Sequence, residues 1–330
     1  QMISILRERI EEDKSIDTVY DRYWHGMQMI LRPLFTFLNI RQIRVFMITV
    51  LLLLLGILTV CLWKKQQRAM AGSMLAGAVF ISYPMVGMCM EYVSTFLIML
   101  MISLLCLKYY KEKTMIIHFM LISGMCCGFF DFLTTETVTI VIPLAIVLCL
   151  RQQEEDLRSF CKEARFVVMC GLVWGIGYLG IMAIKWILAS IVLNSNRILE
   201  AVSMMLYRQG GDVIMSKESN LSQPLEALAG NIRLLAGFPF NMKSETTLMI
   251  TVIMIGCLVC FVYLYRKTGE ECVLPAMLAL LACVPVARIM ILNSHSYQHS
   301  FFTYRALFAS ICCVVTAVVK IIDVKLLKKK

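Results

Sequence analysis

Residues 43–63 read IRVFMITVLLLLLGILTVCLW, and Arg44 is the only charged residue in this stretch. A membrane-spanning helix needs about 20 consecutive apolar residues, so the stretch is long enough to cross a bilayer. A spanning β-strand would instead alternate apolar and polar residues over about 10 positions. Because a helix satisfies all of its own backbone hydrogen bonds in lipid, we predict a transmembrane helix here.

Other stretches of the chain have the same apolar character. Of the 330 residues, 59% are hydrophobic, whereas soluble domains are about 45–50% apolar. We therefore predict an all-α, polytopic integral membrane protein with about nine transmembrane helices. The further spans are expected near 69–88, 92–109, 115–133, 135–150, 166–193, 247–265, 272–292 and 306–322.

The loops between these spans alternate between basic and nearly uncharged. Short cytoplasmic loops are enriched in Lys and Arg, and among the intervening short connections only Arg305 is basic. We therefore place the basic loops in the cytoplasm. Their basic residues are Lys64, Lys65, Arg68, Lys108, Lys111, Lys113, Arg151, Arg158, Lys162, Arg165, Arg266, Lys267, Lys325, Lys328, Lys329 and Lys330.

This topology divides the chain into an external segment, 1–42, and a transmembrane bundle, 43–330, with one long external loop at 194–246. Apolar residues recur at helical spacing in both external regions, which predicts amphipathic interfacial helices. The topology places residue 1 on the external side, and the sequence begins with Gln1 instead of Met. We therefore expect a preceding spanning helix in a longer chain. The predicted interfacial helices cover 2–12, 26–39 (with a kink at Pro33), 198–208 and 224–236.

The net charge of +10 is distributed along the flanks of the spans. This placement predicts contact with the lipid bilayer and argues against nucleic acid as a partner. Most of the 14 cysteines lie within the apolar spans, so we interpret them as small packing residues and expect no disulfide framework.

The first polar cluster, DRYWHG at 21–26, ends the first external segment. It contains Asp21, Tyr23, Trp24 and His25. One interpretation is an aromatic belt at the level of the lipid headgroups. The functional interpretation is a polar substrate site at the membrane surface.

The second cluster, FFDFLTTE at 129–136, forms the turn between two predicted spans. Aromatic neighbours would desolvate Asp131, raise its pKa and suit it to act as a general base. The alternative is that the Asp131 carboxylate caps the following helix, a role that Thr134 or Thr135 could fill instead.

The third cluster, NSHSYQHSFFTYR at 293–305, precedes the last predicted span. His295 and His299 share one face if the segment is helical. With Tyr297, Tyr304 and Arg305 they are suited to bind an anion, because a guanidinium binds phosphate in a bidentate manner. A divalent metal on the two histidines is one alternative, and ordinary hydrogen-bonded boundary residues are another.

Two further cations fall inside predicted spans, where charges are costly. Arg288 lies close to the external end of its span and could extend to the external mouth or to a lipid phosphate. Lys185 lies deeper in a long span and could instead be paired within the bundle.

The motifs DRYWHG, FDFLTT and NSHSYQHSFFTYR resemble those of a group of bacterial polytopic membrane proteins, and the layout of the chain is similar to that of the GT-C superfamily. The resemblance implies a cell-membrane glycosyltransferase. Such an enzyme transfers a sugar from a polyprenyl-phosphate-linked donor to a glycan or lipid acceptor at the non-cytoplasmic face. The usual catalytic acid of this superfamily lies in the first external loop, and no residue here matches it.

On this hypothesis Asp131, His25 and His295 are the candidate catalytic residues, and no cofactor is required. The alternative function is a transporter or flippase of lipid-linked or small anionic substrates, and a non-catalytic scaffold is the third interpretation. The candidate substrate-binding residues are Arg305, Arg288, His299, Tyr23, Trp24, Tyr297, Tyr304 and Asp21.

Overall fold

The computed structural model is helical throughout the part of the chain that it describes, namely residues 22–131, 133–154, 159–210, 223–235 and 273–327. The predicted helix 2–12, the predicted span 247–265 and Asp21 lie outside these residues. The all-α prediction is confirmed for the described chain.

The helices follow the predicted spans closely, and the three described interfacial helices are also present. In chain order the helices are α1 Met27–Phe35, α2 Ile40–Lys64, α3 Arg68–Phe80, α4 Val93–Tyr109, α5 Lys113–Phe130, α6 Val138–Gln153, α7 Phe160–Val192, α8 Arg197–Gly210, α9 Gln223–Arg233, α10 Val273–Ile291, α11 Asn293–Gln298, α12 Ser300–Thr303 and α13 Leu307–Leu327, with 3₁₀ turns at Tyr83–Met88 and Tyr304–Ala306.

Five described helical segments are long and apolar enough to cross a membrane: α2, α5, α7, α10 and the continuous stretch Ser300–Ile322. Three shorter apolar helices, α3, α4 and α6, have between 10 and 17 residues. These segments are compatible with a multi-pass membrane protein. The described residues do not establish the predicted count of nine spans.

The predicted span 69–88 is not one continuous helix. Helix α3 ends at Phe80, and Ser82 has a positive φ of 53°, a left-handed conformation that an L-residue seldom adopts. The chain then continues as the 3₁₀ turn Tyr83–Met88, with Pro84 at the start of the turn. The segment therefore breaks near one end, a feature that its apolar composition alone does not indicate.

Helix α6 forms the centre of the bundle. Every residue from Val138 to Arg151 is buried, and α6 packs against α4, α10 and α13. A helix that is apolar on all sides is expected to lie in the interior, where each face meets another helix. By contrast, α7 leaves a row of apolar side chains exposed, including Leu172, Ile176 and Leu179, and this row is suited to contact lipid.

Helices α5 and α7 approach each other closely through glycines. A Cβ atom built on Gly124 would lie 2.1 Å from the Trp174 carbonyl oxygen, and one on Gly128 would lie 2.7 Å from that of Tyr178. On the opposite helix, a Cβ on Gly177 would lie 2.5 Å from the Leu121 carbonyl oxygen. Small residues four positions apart allow this close backbone contact in membrane helices.

One end of the bundle, here called the basic end, contains 64–68, 108–113, 149–154 and 159–163. The Gln67 Nε2 donates to the Cys149 carbonyl at 3.0 Å, and the Lys111 ammonium lies 2.9 Å from the Glu154 carboxylate. Three of the connections predicted to share the cytoplasmic side are therefore neighbours in space. Which side of a membrane they face remains a prediction from the positions of their charges.

Arg151 differs from the other basic-end cations because it is buried. Its guanidinium forms two hydrogen bonds to the buried Glu163 carboxylate, at 2.7 and 3.0 Å, and lies 5.4 Å from the Phe166 ring centre. It therefore serves the packing of α6 against α7, whereas Lys65, Lys108 and Lys111 remain at the surface.

Candidate functional site

The three predicted polar clusters lie together at the opposite end of the bundle, here called the polar end. It contains residues 22–26, 81–95, 129–131, 133–137, 181–197 and 288–305. The contacts that join these segments are specific hydrogen bonds and ring contacts between elements far apart in the chain.

The first cluster is fastened to α5 and α7 by backbone and indole hydrogen bonds. The Gly26 amide donates to the Phe129 carbonyl at 3.1 Å, and the Trp24 indole donates to the Ile181 carbonyl at 2.8 Å. A Cβ on Gly26 would lie 2.5 Å from the Phe129 ring, so the close approach requires glycine here. The segment is therefore built into the bundle and is not a free surface belt.

The side chains of the first cluster have different environments. Tyr23 is buried against Cys127, Tyr178 and Met182, with the Arg208 guanidinium 5.6 Å from its ring centre. His25 is half-buried and has a positive φ of 54°.

Lys185, for which pairing within the bundle was one possibility, contacts an aromatic ring of this cluster, and no ion pair among the described residues includes it. Its ammonium lies 5.5 Å from the Trp24 ring centre, and its side chain is half-buried. The indole therefore supplies the contact that partly offsets the cost of placing this cation in an apolar helix.

Asp131 ends α5 and is buried, with only 1% of its surface exposed. Its carboxylate accepts hydrogen bonds from the Thr134 amide at 2.9 Å and from the Thr134 hydroxyl. The carboxylate therefore stabilises the turn before α6. This role resembles the predicted helix cap, but the amide that it binds belongs to the turn and not to the helix. Burial, and secondarily the neighbouring Glu136 carboxylate, raise the pKa of Asp131 to about 7.

Arg288 is directed inward. Its Nε donates to Glu136 Oε1 at 2.6 Å, and its two Nη atoms donate to the Leu133 carbonyl at 2.6 Å and to the Ser296 hydroxyl at 3.0 Å. Both charged side chains are buried. The expectation that Arg288 extends to a lipid phosphate is wrong. Its guanidinium is instead paired with the carboxylate of Glu136, a residue that we did not select from the sequence.

The predicted pairing of His295 and His299 on one face is confirmed. Their ring centres are 4.8 Å apart, and the His299 ring stacks on Phe302 at 5.3 Å. His295 is buried, and its Nδ1 has no hydrogen-bond partner within the described chain. Burial, and then the positive charges of Arg288 and Arg208, lower the pKa of His295 to about 2, so its ring is neutral.

His299 is less enclosed than His295. Burial and the charge of Arg208 lower the pKa of His299, whereas the Glu91 carboxylate acts in the opposite direction. Glu91 is exposed, so an acid, an imidazole and a guanidinium come within electrostatic reach of one another at the surface of the polar end. Neither Glu91 nor Arg208 is among the site residues that we selected from the sequence.

A metal bound by His295 and His299 would have no third protein ligand in the described part of the chain. No group of three or more His, Cys, Asp or Glu side chains is placed there to hold a metal ion. His295 and His299 therefore form a pair without a further protein ligand among those residues.

Arg305 is buried between aromatic rings. Its guanidinium lies 4.6 Å from the ring centre of Tyr304 and 5.1 Å from that of Tyr92. Nη1 donates to the Phe301 carbonyl at 2.6 Å, and Nε is buried without a hydrogen-bond partner. Only 7% of the residue is exposed, and no ion pair within the described residues includes it.

The two remaining predicted tyrosines occupy different positions. Tyr304 is buried, and its hydroxyl donates to the Ile81 carbonyl at 3.4 Å, where α3 ends. Tyr297 is half-buried and packs against the main hydrophobic core. Tyr92, which completes the ring pair around Arg305, was not selected from the sequence.

Comparison with known proteins finds no matching family, no similar curated protein and no similar solved structure.

Proposed function

We propose that this chain is an integral membrane glycosyltransferase that uses a polyprenyl-phosphate-linked sugar, with Arg305 as the residue that binds the donor phosphate. The proposal is supported mainly by the difference between Arg305 and the other buried arginines. Arg151 and Arg288 are each paired with a buried glutamate, whereas Arg305 has no carboxylate partner among the described residues.

A buried guanidinium without a counter-ion is costly, because it loses its hydration and gains no opposite charge. An anionic ligand would supply that charge, and a phosphate is well matched to the planar guanidinium. The Tyr92 and Tyr304 rings hold the guanidinium between them, so its position is set before a ligand arrives.

The surroundings of Arg305 suit a donor with a lipid chain and a sugar. Phe301, whose carbonyl accepts from Arg305, has 61% of its surface exposed and offers an apolar contact for the prenyl chain. His299 stacks on Phe302 and is only half-buried, so its ring is the aromatic face here on which a sugar could stack.

The transfer needs a base for the acceptor hydroxyl. Asp131 and His295, our sequence-based candidates, are both buried, and the Asp131 carboxylate is engaged by Thr134. Glu91 is exposed and adjoins Tyr92, whose ring lies 5.1 Å from the Arg305 guanidinium, so we assign it the base role. Asp131 and His295 then act as positioning residues.

In the proposed reaction the acceptor oxygen attacks the anomeric carbon of the sugar, and the bond from that carbon to the phosphate oxygen breaks. The phosphate oxygen keeps the electron pair and leaves as polyprenyl phosphate beside Arg305. Glu91 takes the proton of the acceptor hydroxyl. Arg305 stabilises the negative charge that develops on the leaving group.

The test is a transfer assay on the full-length protein in liposomes that contain a labelled polyprenyl-phosphate sugar. We expect Arg305→Gln and Glu91→Gln to lower transfer by about 100-fold or more, whereas Arg68→Gln at the basic end retains it. Size-exclusion profiles should match the wild type. Wild-type transfer in Arg305→Gln would remove this site.

A second candidate function is movement of an anionic lipid-linked substrate without chemistry. The break between α3 and the 3₁₀ turn at Ser82 favours it, because transporters often bind substrates where helices are interrupted. The same liposomes decide between the two candidates. Movement of the labelled lipid between leaflets with no covalent product would support the transporter and contradict the transferase.

A further inference from the structure

A shallow groove, open to the surroundings, lies along the first turns of α2, on the side away from the buried face of that helix. It is lined by Leu38, Arg41, Gln42, Val45 and Phe46 and has a volume of about 450 Å³. These positions recur at intervals of three and four residues, which places them on one face of the helix. None of them belongs to the cluster around Arg305.

Two arginines lie at the start of α2, Arg41 in the lining of the groove and Arg44 beside it, and no ion pair within the described residues includes either of them. Arg41 is exposed, and Arg44, one turn further along, has a buried Nε with no hydrogen-bond partner in the described chain. The sequence contains no Asp or Glu between residues 22 and 90. Both cations also lie in the first turns of α2, where the helix dipole is already positive and an anion is favoured.

The rest of the groove is apolar and continues onto a lipid-facing surface. Val45 and Phe46 have 59% and 48% of their surfaces exposed, in a helix apolar enough to span a membrane. Phe37, just before α2, has 86% exposed. Exposed apolar residues beside arginines are typical of the boundary between the headgroups and the acyl chains.

We propose that this groove binds one anionic phospholipid, with its phosphate on Arg41 and Arg44 and an acyl chain along Val45 and Phe46. Charge complementarity selects an acidic lipid over a zwitterionic one, and the apolar wall selects a lipid over free phosphate. The inference does not depend on the proposed transferase activity, because none of its residues belongs to the polar end as defined above or to the cluster around Arg305.

The experiment is native mass spectrometry of the full-length protein released from nanodiscs of phosphatidylcholine alone or with phosphatidylglycerol. We compare the wild type with the double variant Arg41→Gln/Arg44→Gln. The matched control is Arg68→Gln/Lys111→Gln, which removes the same charge at the basic end. We expect one retained phosphatidylglycerol in the wild type and the control, and at least a tenfold lower bound fraction in the double variant.

Two outcomes would overturn the proposal. One is equal retention of phosphatidylglycerol by the double variant and the control, and the other is equal retention of the two lipids by the wild type. Loss of the bound lipid on addition of inorganic phosphate would also count against it, since that result identifies a free-phosphate site. Phe46→Ala, which removes apolar wall but no charge, should weaken retention as well.

Discussion

Arg288 and Glu136, which lie 152 positions apart in the chain, form a buried ion pair with an Nε–Oε1 distance of 2.6 Å. The pair joins the end of α10 to the turn before α6. Through its further bonds to Leu133 and Ser296, Arg288 also ties the second polar cluster to the third. The arrangement of the polar end therefore depends on Arg288, whose partner Glu136 comes from a distant part of the chain.

Removal of one member of this pair should be strongly destabilising. Glu136→Gln would leave the Arg288 guanidinium buried without a counter-ion, and we expect a loss of about 3–5 kcal/mol in the free energy of unfolding. The measurement is unfolding in detergent micelles, followed by circular dichroism.

The control is Glu200→Gln, which breaks the more exposed pair with Arg197 on α8 and should cost about 0–1 kcal/mol. A double replacement of Glu136 and Arg288 by apolar residues should recover part of the stability, because no charge then remains buried. Equal, small losses in Glu136→Gln and Glu200→Gln would contradict the structural role of the pair.

Asp131 and His295 should give opposite pH dependences of stability. The pKa of Asp131 is raised from 3.8 to about 7 on folding, so between those values the native state holds the extra proton and stability falls as pH rises. The pKa of His295 is lowered from 6.5 to about 2, so stability falls as pH drops below 6.5. In the wild type the two effects oppose each other between pH 4 and 6.5.

The single variants should separate these effects. In Asp131→Asn only the histidine contribution remains, and the melting temperature should rise from pH 4 to 6.5. In His295→Gln the contribution of His295 is gone and that of His299 remains, so the melting temperature should rise less from pH 4 to 6.5 than in Asp131→Asn, or fall. Parallel pH profiles in the two variants would be incompatible with these environments.

The close contact of α5 with α7 predicts a clear contrast between glycines. Gly124→Ala places a methyl group 2.1 Å from the Trp174 carbonyl oxygen, so the helices must separate, at a cost of about 1–3 kcal/mol. Gly175→Ala on α7 meets no atom within 4 Å and should be neutral or slightly stabilising, since alanine favours helix. Thermal unfolding of the two variants measures the difference, and similar melting temperatures would refute the packing.

The sidedness expected from the basic loops can be tested on α7, which is about 50 Å long at 1.5 Å per residue and joins the two ends of the bundle. Cys161 is exposed near its basic end, and Ser195 is exposed just past its polar end. In intact cells a membrane-impermeant maleimide should label Ser195→Cys above the wild-type background. Cys161 should become labelled only after the cells are opened, and labelling of Cys161 in intact cells would reverse the assigned orientation.

Several features of the fold were predictable because they depend on local pattern. The apolar runs predict α2, α5, α7 and α10 to within a few residues, and amphipathic spacing predicts α1, α8 and α9. The spacing of His295 and His299 also predicts their shared face. The motif Gly124-x-x-x-Gly128 is visible in the sequence as well, and a search for small residues four positions apart would have identified the α5–α7 contact.

The roles of the polar residues were less predictable, because burial and partners decide them. From the sequence alone, Asp131, Arg288 and Arg305 are equally good candidates for site residues, because all three are charged residues beside apolar segments. Glu136 neutralises Arg288 from 152 positions away, which spacing in the chain does not indicate. The bond from Thr134 to Asp131 is local, but the burial of Asp131 is decided by distant parts of the chain.

The sequence by itself determined that the chain is helical and apolar enough for a membrane, and that its charges alternate between loops, because these properties depend on composition and short-range periodicity. It took the tertiary structure to show that Arg151 and Arg288 have buried carboxylate partners, whereas Arg305 has none among the described residues. The physical reason is that the energy of a buried charge depends on the groups within a few ångströms of it, and those groups come from distant parts of the chain.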